Sequence, residues 1–313
     1  GVVNVASAKP TDQFEAMASA DIGNFKNRRL EGMINIPFDS DKLDFRIAGE
    51  WTKRDGYSFN ETTGQQIDGR DLWSGRATLG WKPISTIQTY FIWEHFQEDD
   101  DRLRSGKQTC KTDPGPTSFT SADGSTVPVA ISAITTFSLN AANFSHGCLP
   151  TSLYSNDAFQ VPNGYALPLV SGPGFLGQLN VGIDPYSQAV QSTNLRNIQS
   201  VVEPKYIAKN DTLEFNASWN ISPSLTFYTD TGYNRDFLWS TEDYNRFDTS
   251  PGVFAYFPDG NGNFPNPAFM RPDPNFPPDP NTFPPYGGGA ILCDPQLGCS
   301  SRLVVEDLST EKA

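Results

Sequence analysis

The sequence predicts an all-β fold, a segment of an antiparallel transmembrane β-barrel with about seven to eight strands and long extracellular loops. Runs of about ten to fourteen residues alternate between apolar and polar side chains, which is the period of a β-strand. The connections between these runs are short at one end and long at the other. The short ones are Asp39–Lys42, Lys82–Ser85 and Ile221–Ser224, and the long ones span residues 55–70, 98–205 and 245–301. Long loops gathered at one end are typical of a membrane barrel and not of a soluble sandwich.

The predicted strands follow one another along the chain, each with its apolar residues at alternate positions. The first four cover residues 14–22, 30–38, 43–52 and 73–82. The fifth, residues 87–96, is apolar on both faces at Tyr90–Trp93. The sixth covers residues 213–219, the seventh begins at Leu225 and an eighth opens at Arg302. We therefore expect seven antiparallel strands within residues 14–97 and 211–240, each paired with its neighbours in sequence.

The two faces of these strands differ in chemistry. Phe45, Ile47, Leu79 and Phe215 fall on one side, whereas Arg46, Glu50, Arg76 and Glu214 fall on the other. A charged face that repeats from strand to strand predicts a wet lumen and not a packed core, with the apolar side chains turned to lipid. Arg46, Glu50 and Arg76 are therefore candidates for ligand binding.

Composition narrows the possible classes of protein. The mean hydropathy is -0.45, and no stretch approaches the roughly 20 apolar residues that a membrane helix needs. Barrels hide their apolar surface at alternate positions, so this low value does not argue against one. The net charge of -13 and the lack of a visible basic patch argue against nucleic acid as a partner.

Four cysteines fall inside the two longest connections, two in each. Pairing within each loop predicts the bridges Cys110–Cys148 and Cys293–Cys299, and hence an oxidising compartment. Free thiols or a metal site are the alternative, although the spacing matches no zinc module and we expect no metal centre.

Two loop segments contain further candidate ligand-binding residues. Glu98, Asp99, Asp100 and Asp101 follow the fifth strand and could hold a cation through oxygen atoms, although a solvated charge run is the simpler interpretation. The Pro-rich stretch 264–285 cannot enter a sheet and suits an extended external loop. Phe264, Phe269 and Tyr286 would be available there to stack on a ligand.

The sequence shows no constellation of catalytic residues. The two histidines, His95 and His146, lie far apart, and neither is part of a spaced base and nucleophile pair. No glycine-rich loop is present to cradle phosphate. We expect neither catalysis nor a cofactor.

Several motifs carry a family resemblance when they are taken in order. The opening Gly1–Val5 followed by Lys9-Pro10-Thr11 resembles the end of the plug domain of TonB-dependent outer-membrane receptors. Similar motifs of that family match Gly23-Asn24-Phe25 with Arg28-Arg29, Lys53–Tyr57, Trp81-Lys82-Pro83 and Phe96–Asp100. The resemblance covers most of the chain outside the two longest loops.

The resemblance implies a barrel of about 22 strands closed around a plug. Residues 1–10 would be the C-terminal end of the plug and residues 11–313 the first part of an incomplete barrel. Such a receptor sits in the outer membrane of a Gram-negative bacterium, among its lipids, and imports a siderophore or another bulky solute. Its energy comes through TonB, which would act on an N-terminal region that this sequence does not include. The alternatives are a passive porin-type barrel and a secreted β-rich ligand-binding protein.

Overall fold

The computed structural model describes residues 1–2, 7–39, 42–128, 132–134, 137–139, 141–167, 184–253, 270–272, 274–275, 290–294, 298–302 and 306–312. These residues form an all-β protein, as predicted, with a short 3-10 helix at Ala141–Phe144. No helix among them is long and apolar enough to cross a membrane.

The strands differ greatly in length. In chain order they are β1 (Glu15–Gly23), β2 (Asn27–Asp39), β3 (Leu43–Arg54), β4 (Ser58–Asn60), β5 (Gln65–Ile67), β6 (Arg70–Ile84), β7 (Ile87–Asp100), β8 (Lys111–Thr112), β9 (Ser118–Thr120), β10 (Thr126–Pro128), β11 (Ser132–Ile134), β12 (Phe137–Leu139), β13 (Cys148–Leu149), β14 (Asn197–Ile198), β15 (Lys205–Ser222), β16 (Leu225–Asp243), β17 (Met270–Pro272), β18 (Ala290–Asp294), β19 (Gly298–Ser300) and β20 (Glu306–Lys312).

One antiparallel sheet dominates the fold. Its strand order is β1-β2-β3-β6-β7-β15-β16-β20, so each long strand pairs with the long strands before and after it in sequence. This confirms the predicted sequential pairing of seven strands, and β20 (Glu306–Lys312) is the eighth strand that was predicted to open at Arg302. Within the described residues the sheet is open, with β1 and β20 at its edges, and it does not close into a barrel.

The last long strands extend further than predicted. β15 begins at Lys205 instead of residue 211, and β16 ends at Asp243 instead of residue 240. The reason is chemical: residues 209–212 are Lys-Asn-Asp-Thr, polar on both faces, so no alternation marks them as a strand. Their backbone is nevertheless fully paired with β7 and β16.

The two ends of the sheet carry different connections, as the sequence predicted. The turn after β2 is closed by a hydrogen bond from the Lys42 N–H to the Asp39 carbonyl, 2.8 Å, although Ser40 and Asp41 lie outside the described residues. At the opposite, long-loop end, the connection between β1 and β2 is an exception, because it is the tight turn Asn24–Lys26.

Phe25 and Lys26 in this turn have left-handed backbones, with φ values of 58° and 52°, which residues other than glycine rarely adopt. The next connection holds the turn. The Asp55 N–H donates to the Phe25 carbonyl over 2.8 Å, and the Asp55 carboxylate lies 2.7 Å from Lys26 Nζ.

Register separates the side chains of the large sheet into two faces. The apolar face contains Leu30, Ile34, Phe45, Ile47, Trp51, Trp73, Leu79, Phe91, Trp93, Leu213, Phe215 and Trp219. The polar face contains Glu15, Asn35, Arg46, Glu50, Arg76, Glu94 and Glu214. The predicted alternation is therefore confirmed. A one-residue shift in the register of a strand would exchange its two faces.

The long loops form a connected layer at one end of the sheet. We define the loop cap as residues 55–69, 101–128, 141–167, 184–204 and 244–253. β14 pairs in parallel with β4, and the buried amide of Asn60 donates to the Ser200 carbonyl over 2.9 Å. Cys110, Tyr186 and Phe247 form a small apolar core within the cap.

The predicted bridge Cys110–Cys148 is present in the cap, with a sequence separation of 38 residues. Cys299 is also disulfide-bonded, and its backbone pairs with that of Cys293 in the β18–β19 hairpin. The Cys293 side chain lies outside the described part of the structure, so Cys293–Cys299 stays a prediction.

Candidate functional site

The polar face of the sheet brings together the predicted lumen residues. Arg46 Nη1 lies 3.1 Å from Glu15 on β1, and Arg29 Nη2 lies 2.9 Å from Glu50 on β3. Arg76 is ion-paired with Glu94 on β7. Alternation along each strand turns these groups to the same side, so oppositely charged partners meet across neighbouring strands.

A hollow of about 570 Å³ lies among these ion pairs. Its polar walls are Glu31, Glu50, Ser74, Arg76, Glu94 and Asn210, and Met33 and Phe96 add apolar surface. Carboxylates, a guanidinium, an amide and a hydroxyl therefore share one surface. Such a set can bind a hydroxylated or charged solute through hydrogen bonds.

The N-terminal segment Lys9–Gln13 crosses the polar face. Asn35, which has no exposed surface, donates from Nδ2 to the Thr11 and Gln13 carbonyls over 2.9 and 2.6 Å. The Lys9 ammonium lies 4.4 Å from the centre of the Tyr90 ring on β7. The chain before β1 thus runs over the charged side of the sheet.

The structure brings Asp99, Asp100 and Asp101 to the wall of one hollow but leaves Glu98 outside it, and the four side chains have different partners. Asp99 turns to the apolar face and pairs with Lys205 over 2.6 Å, whereas Glu98 is buried on the polar face. Asp100 accepts the Asp71 N–H over 3.1 Å, and Asp101 accepts the Gly69 N–H over 2.5 Å. Burial raises the pKa of Asp101. Asp100 and Asp101 thus connect the end of β7 to the start of β6 and to the residue just before it.

A second hollow, also of about 570 Å³, opens at this long-loop end of the sheet. Its basic wall residues are Lys53, Arg54, Arg70 and Lys205, and its acidic ones are Asp55, Asp71, Asp99, Asp100 and Asp101. Two ion pairs, Lys53–Asp71 and Lys205–Asp99, each 2.6 Å, already neutralise part of this charge.

Glu242 and Arg246 form a buried ion pair that the sequence analysis missed. Their side chains are each 1% exposed. Glu242 also accepts the backbone N–H groups of Arg104 and Ser105 over 3.0 and 3.2 Å. Burial lowers the pKa of Arg246 to about 10, so it stays charged at neutral pH. Glu242 and Arg246 lie only four residues apart, but the Arg104 N–H that Glu242 accepts lies 138 residues away in the chain. The sequence therefore did not show that this pair is buried.

Phe264, Phe269 and Tyr286 lie outside the described residues. Within the described residues, no group of three or more His, Cys, Asp or Glu side chains is arranged to hold a metal ion.

Comparison with known proteins assigns no family. No model of a known protein family matches the chain, and no solved structure matches it.

Proposed function

We propose that this chain is part of a TonB-dependent outer-membrane receptor of a Gram-negative bacterium, which imports a siderophore or another bulky nutrient and is not an enzyme. In this proposal residues 1–10 end the plug, and residues 11–313 begin a larger barrel. Its partners are TonB, membrane lipid and the imported solute, and nucleic acid is not among them.

The contrast between the two faces of the sheet carries the proposal. Ile47, Trp73, Phe91, Trp93 and Leu213 are all between 41 and 53% exposed, and no described residue covers this face. A soluble protein rarely exposes a continuous apolar surface of this extent. Lipid would cover it, and the tryptophans would suit the boundary between lipid and water.

The path of the N-terminal segment supports a receptor over a simple pore. Lys9–Gln13 is held on the charged face, so whatever precedes it in the full protein begins on the side of the sheet that would enclose the lumen. A plug requires this entry, and an unplugged porin has no use for it.

The test uses the full-length protein in a Gram-negative host without its own siderophore receptors. We expect it in the outer-membrane fraction, with a gel mobility that changes on heating. We also expect uptake of radioactive iron from at least one member of a panel of ferric siderophores, and loss of that uptake without TonB. Solute flux that does not need TonB would instead indicate a porin. Recovery in buffer without detergent would indicate a secreted binding protein.

A further inference from the structure

Three basic side chains surround Phe237 at the long-loop border of the apolar face. Lys209 and Lys312 lie opposite Phe237 on its two neighbouring strands, and Arg235 precedes it by two residues on the same face. Arg235 is a diagonal neighbour of each lysine, and such neighbours are about 7–8 Å apart. None of the three forms an ion pair with a described residue.

The nearest acid on this face, Asp211, interacts electrostatically with Arg235 and offsets one of the three positive charges in part. Asp211 lies opposite Arg235, but its carboxylate lies 2.7 Å from His95 Nδ1. The His95 ring is itself stacked on Trp73, with ring centres 4.5 Å apart. Lys209, Arg235 and Lys312 therefore present an excess of positive charge.

An apolar hollow of about 480 Å³ adjoins this basic group. Leu79, Phe91, Trp93, Leu213 and Tyr233 line it, and Tyr233 lies two residues from Arg235 on β16. The basic border and the hollow are therefore adjacent on β16.

We propose that the three basic residues and the hollow form a binding site for a membrane lipid with an anionic phosphate head. This inference rests on the proposed function, because it places the apolar face in a bilayer. Lys and Arg carry their charge on long flexible stems, so they reach the headgroup level from an apolar surface. The phosphate meets Lys209, Arg235 and Lys312, and an acyl chain fills the hollow through van der Waals contacts with its walls.

Charge and shape together favour a lipid over a protein partner. The headgroup phosphate of a lipid would neutralise the basic residues at the border. The acyl chain of the same lipid would cover the apolar hollow beside them. Each basic residue near an anionic lipid surface contributes about fivefold in affinity.

Native mass spectrometry of the full-length protein in detergent tests the site. Phosphatidylglycerol and phosphatidylcholine with identical chains are added in equal amounts. We expect the wild type to retain phosphatidylglycerol at least about tenfold better, and K209Q/R235Q to lose most of this preference. K42Q is the control. It removes a charge from an exposed residue just before β3, at the short-turn end of the sheet, and should leave the preference unchanged.

A second variant tests the hollow. A77F fills its floor and should lower the retention of both lipids without changing their ratio. An outer-membrane receptor whose lipid ratio is unchanged in K209Q/R235Q would overturn the lipid site alone. A protein recovered in buffer, with no retained phosphatidylglycerol, would overturn the lipid site and the proposed function together.

Discussion

Asn35 and Thr11 are joined by three hydrogen bonds on the polar face, although 24 residues separate them in the chain. The Thr11 N–H donates to Asn35 Oδ1 over 3.0 Å, and Asn35 Nδ2 donates to the Thr11 carbonyl and hydroxyl oxygens over 2.9 and 3.1 Å. Burying an amide side chain lowers stability unless its polar atoms form hydrogen bonds. Asn35 therefore needs the N-terminal segment as its partner, and the segment is held on the sheet by Asn35.

Replacing this side chain should release the N-terminal segment. We expect N35A to lower the free energy of unfolding by about 1–3 kcal/mol, because the backbone groups of Thr11 and Gln13 lose their hydrogen bonds to the buried Asn35 amide. Hydrogen exchange of a peptide covering residues 7–14 should speed up while β6 and β7 stay protected. N216A is the matched control, since Asn216 also lies on the polar face but makes no side-chain hydrogen bond to a described residue. Equal exchange in both variants would show that Asn35 does not hold the segment.

The buried pair Glu242 and Arg246 should hold the loop cap to the end of β16. R246M removes the nearer of two cations beside the Glu242 carboxylate, the other being Arg104, whose Nε lies 3.7 Å away. Loss of one partner of a buried pair costs about 3–5 kcal/mol, and Arg104 should keep the loss at the lower end of this range. We expect proteolysis within residues 101–110 and 244–253 to increase, with the sheet intact. K26Q breaks the exposed Lys26–Asp55 pair and should cost less than about 1 kcal/mol. Similar losses in the two variants would mean that burial does not set the strength of the Glu242 pair.

Charge should be tolerated on one face of the sheet only. In the full-length protein, I47R places a cation on the apolar face and should cost about 2–4 kcal/mol of folding stability in lipid. R46I changes the polar face and should mainly alter uptake. Heat-modifiable gel mobility after refolding into vesicles measures the difference. Equal stability of I47R and R46I would contradict the assignment of the two faces.

The Cys110–Cys148 bridge should stabilise the cap without being needed by the sheet. Closing a loop of 38 residues contributes about 4 kcal/mol in the chain-entropy model. We expect C110S/C148S to make residues 111–147 sensitive to protease, while β1 to β7 keep their protection from hydrogen exchange. Loss of protection in the sheet as well would show that cap and sheet fold as one unit.

Acid should weaken the cap near Asp157. Lys111 Nζ lies 2.7 Å from the Asp157 carboxylate, and this bond, with weaker contributions from Ser155 and Thr151, lowers the pKa of Asp157 to about 2. Because the carboxyl titrates near about 3.9 when unfolded, its contribution is complete above that pH and is lost as the pH falls through about 2. Amides of residues 151–160 should exchange faster in D157N than in wild type at pH 6, by a ratio that shrinks towards one at about pH 2. A ratio that does not change with pH would rule out this carboxylate as the cause.

The long strands could be predicted because one physical signal is repeated along each of them. Leu43, Phe45 and Ile47 on one side and Asp44 and Arg46 on the other report both strand and face. The signal fails where both faces are polar, as at residues 209–212 of β15. It also fails in the cap, where β4 and β14 consist of only a few residues and are defined by their partners.

The candidate site was predictable only in part, for a related reason. Strand period alone places Arg46, Glu50 and Arg76 on one face. The partners of a polar side chain are set by tertiary structure, so the sequence could not show that Asp100 and Asp101 bind backbone N–H groups. For the same reason the sequence did not predict that Asn35 and Glu242 are buried and hydrogen-bonded.

The disulfide has one further consequence for the chain between its cysteines. Residues 118–128 form an open hairpin, whose turn is closed by a hydrogen bond from Gly124 N–H to the Ser121 carbonyl, 2.9 Å. Nothing approaches within 4 Å of a side chain added at Gly124. Since Cys110 and Cys148 fix the base of this excursion, its tip is free to vary in length without disturbing the register of the large sheet. An insertion beside Ala122 at this turn should therefore be tolerated by the large sheet, whereas Gly124 itself, with a φ of 83°, should be kept.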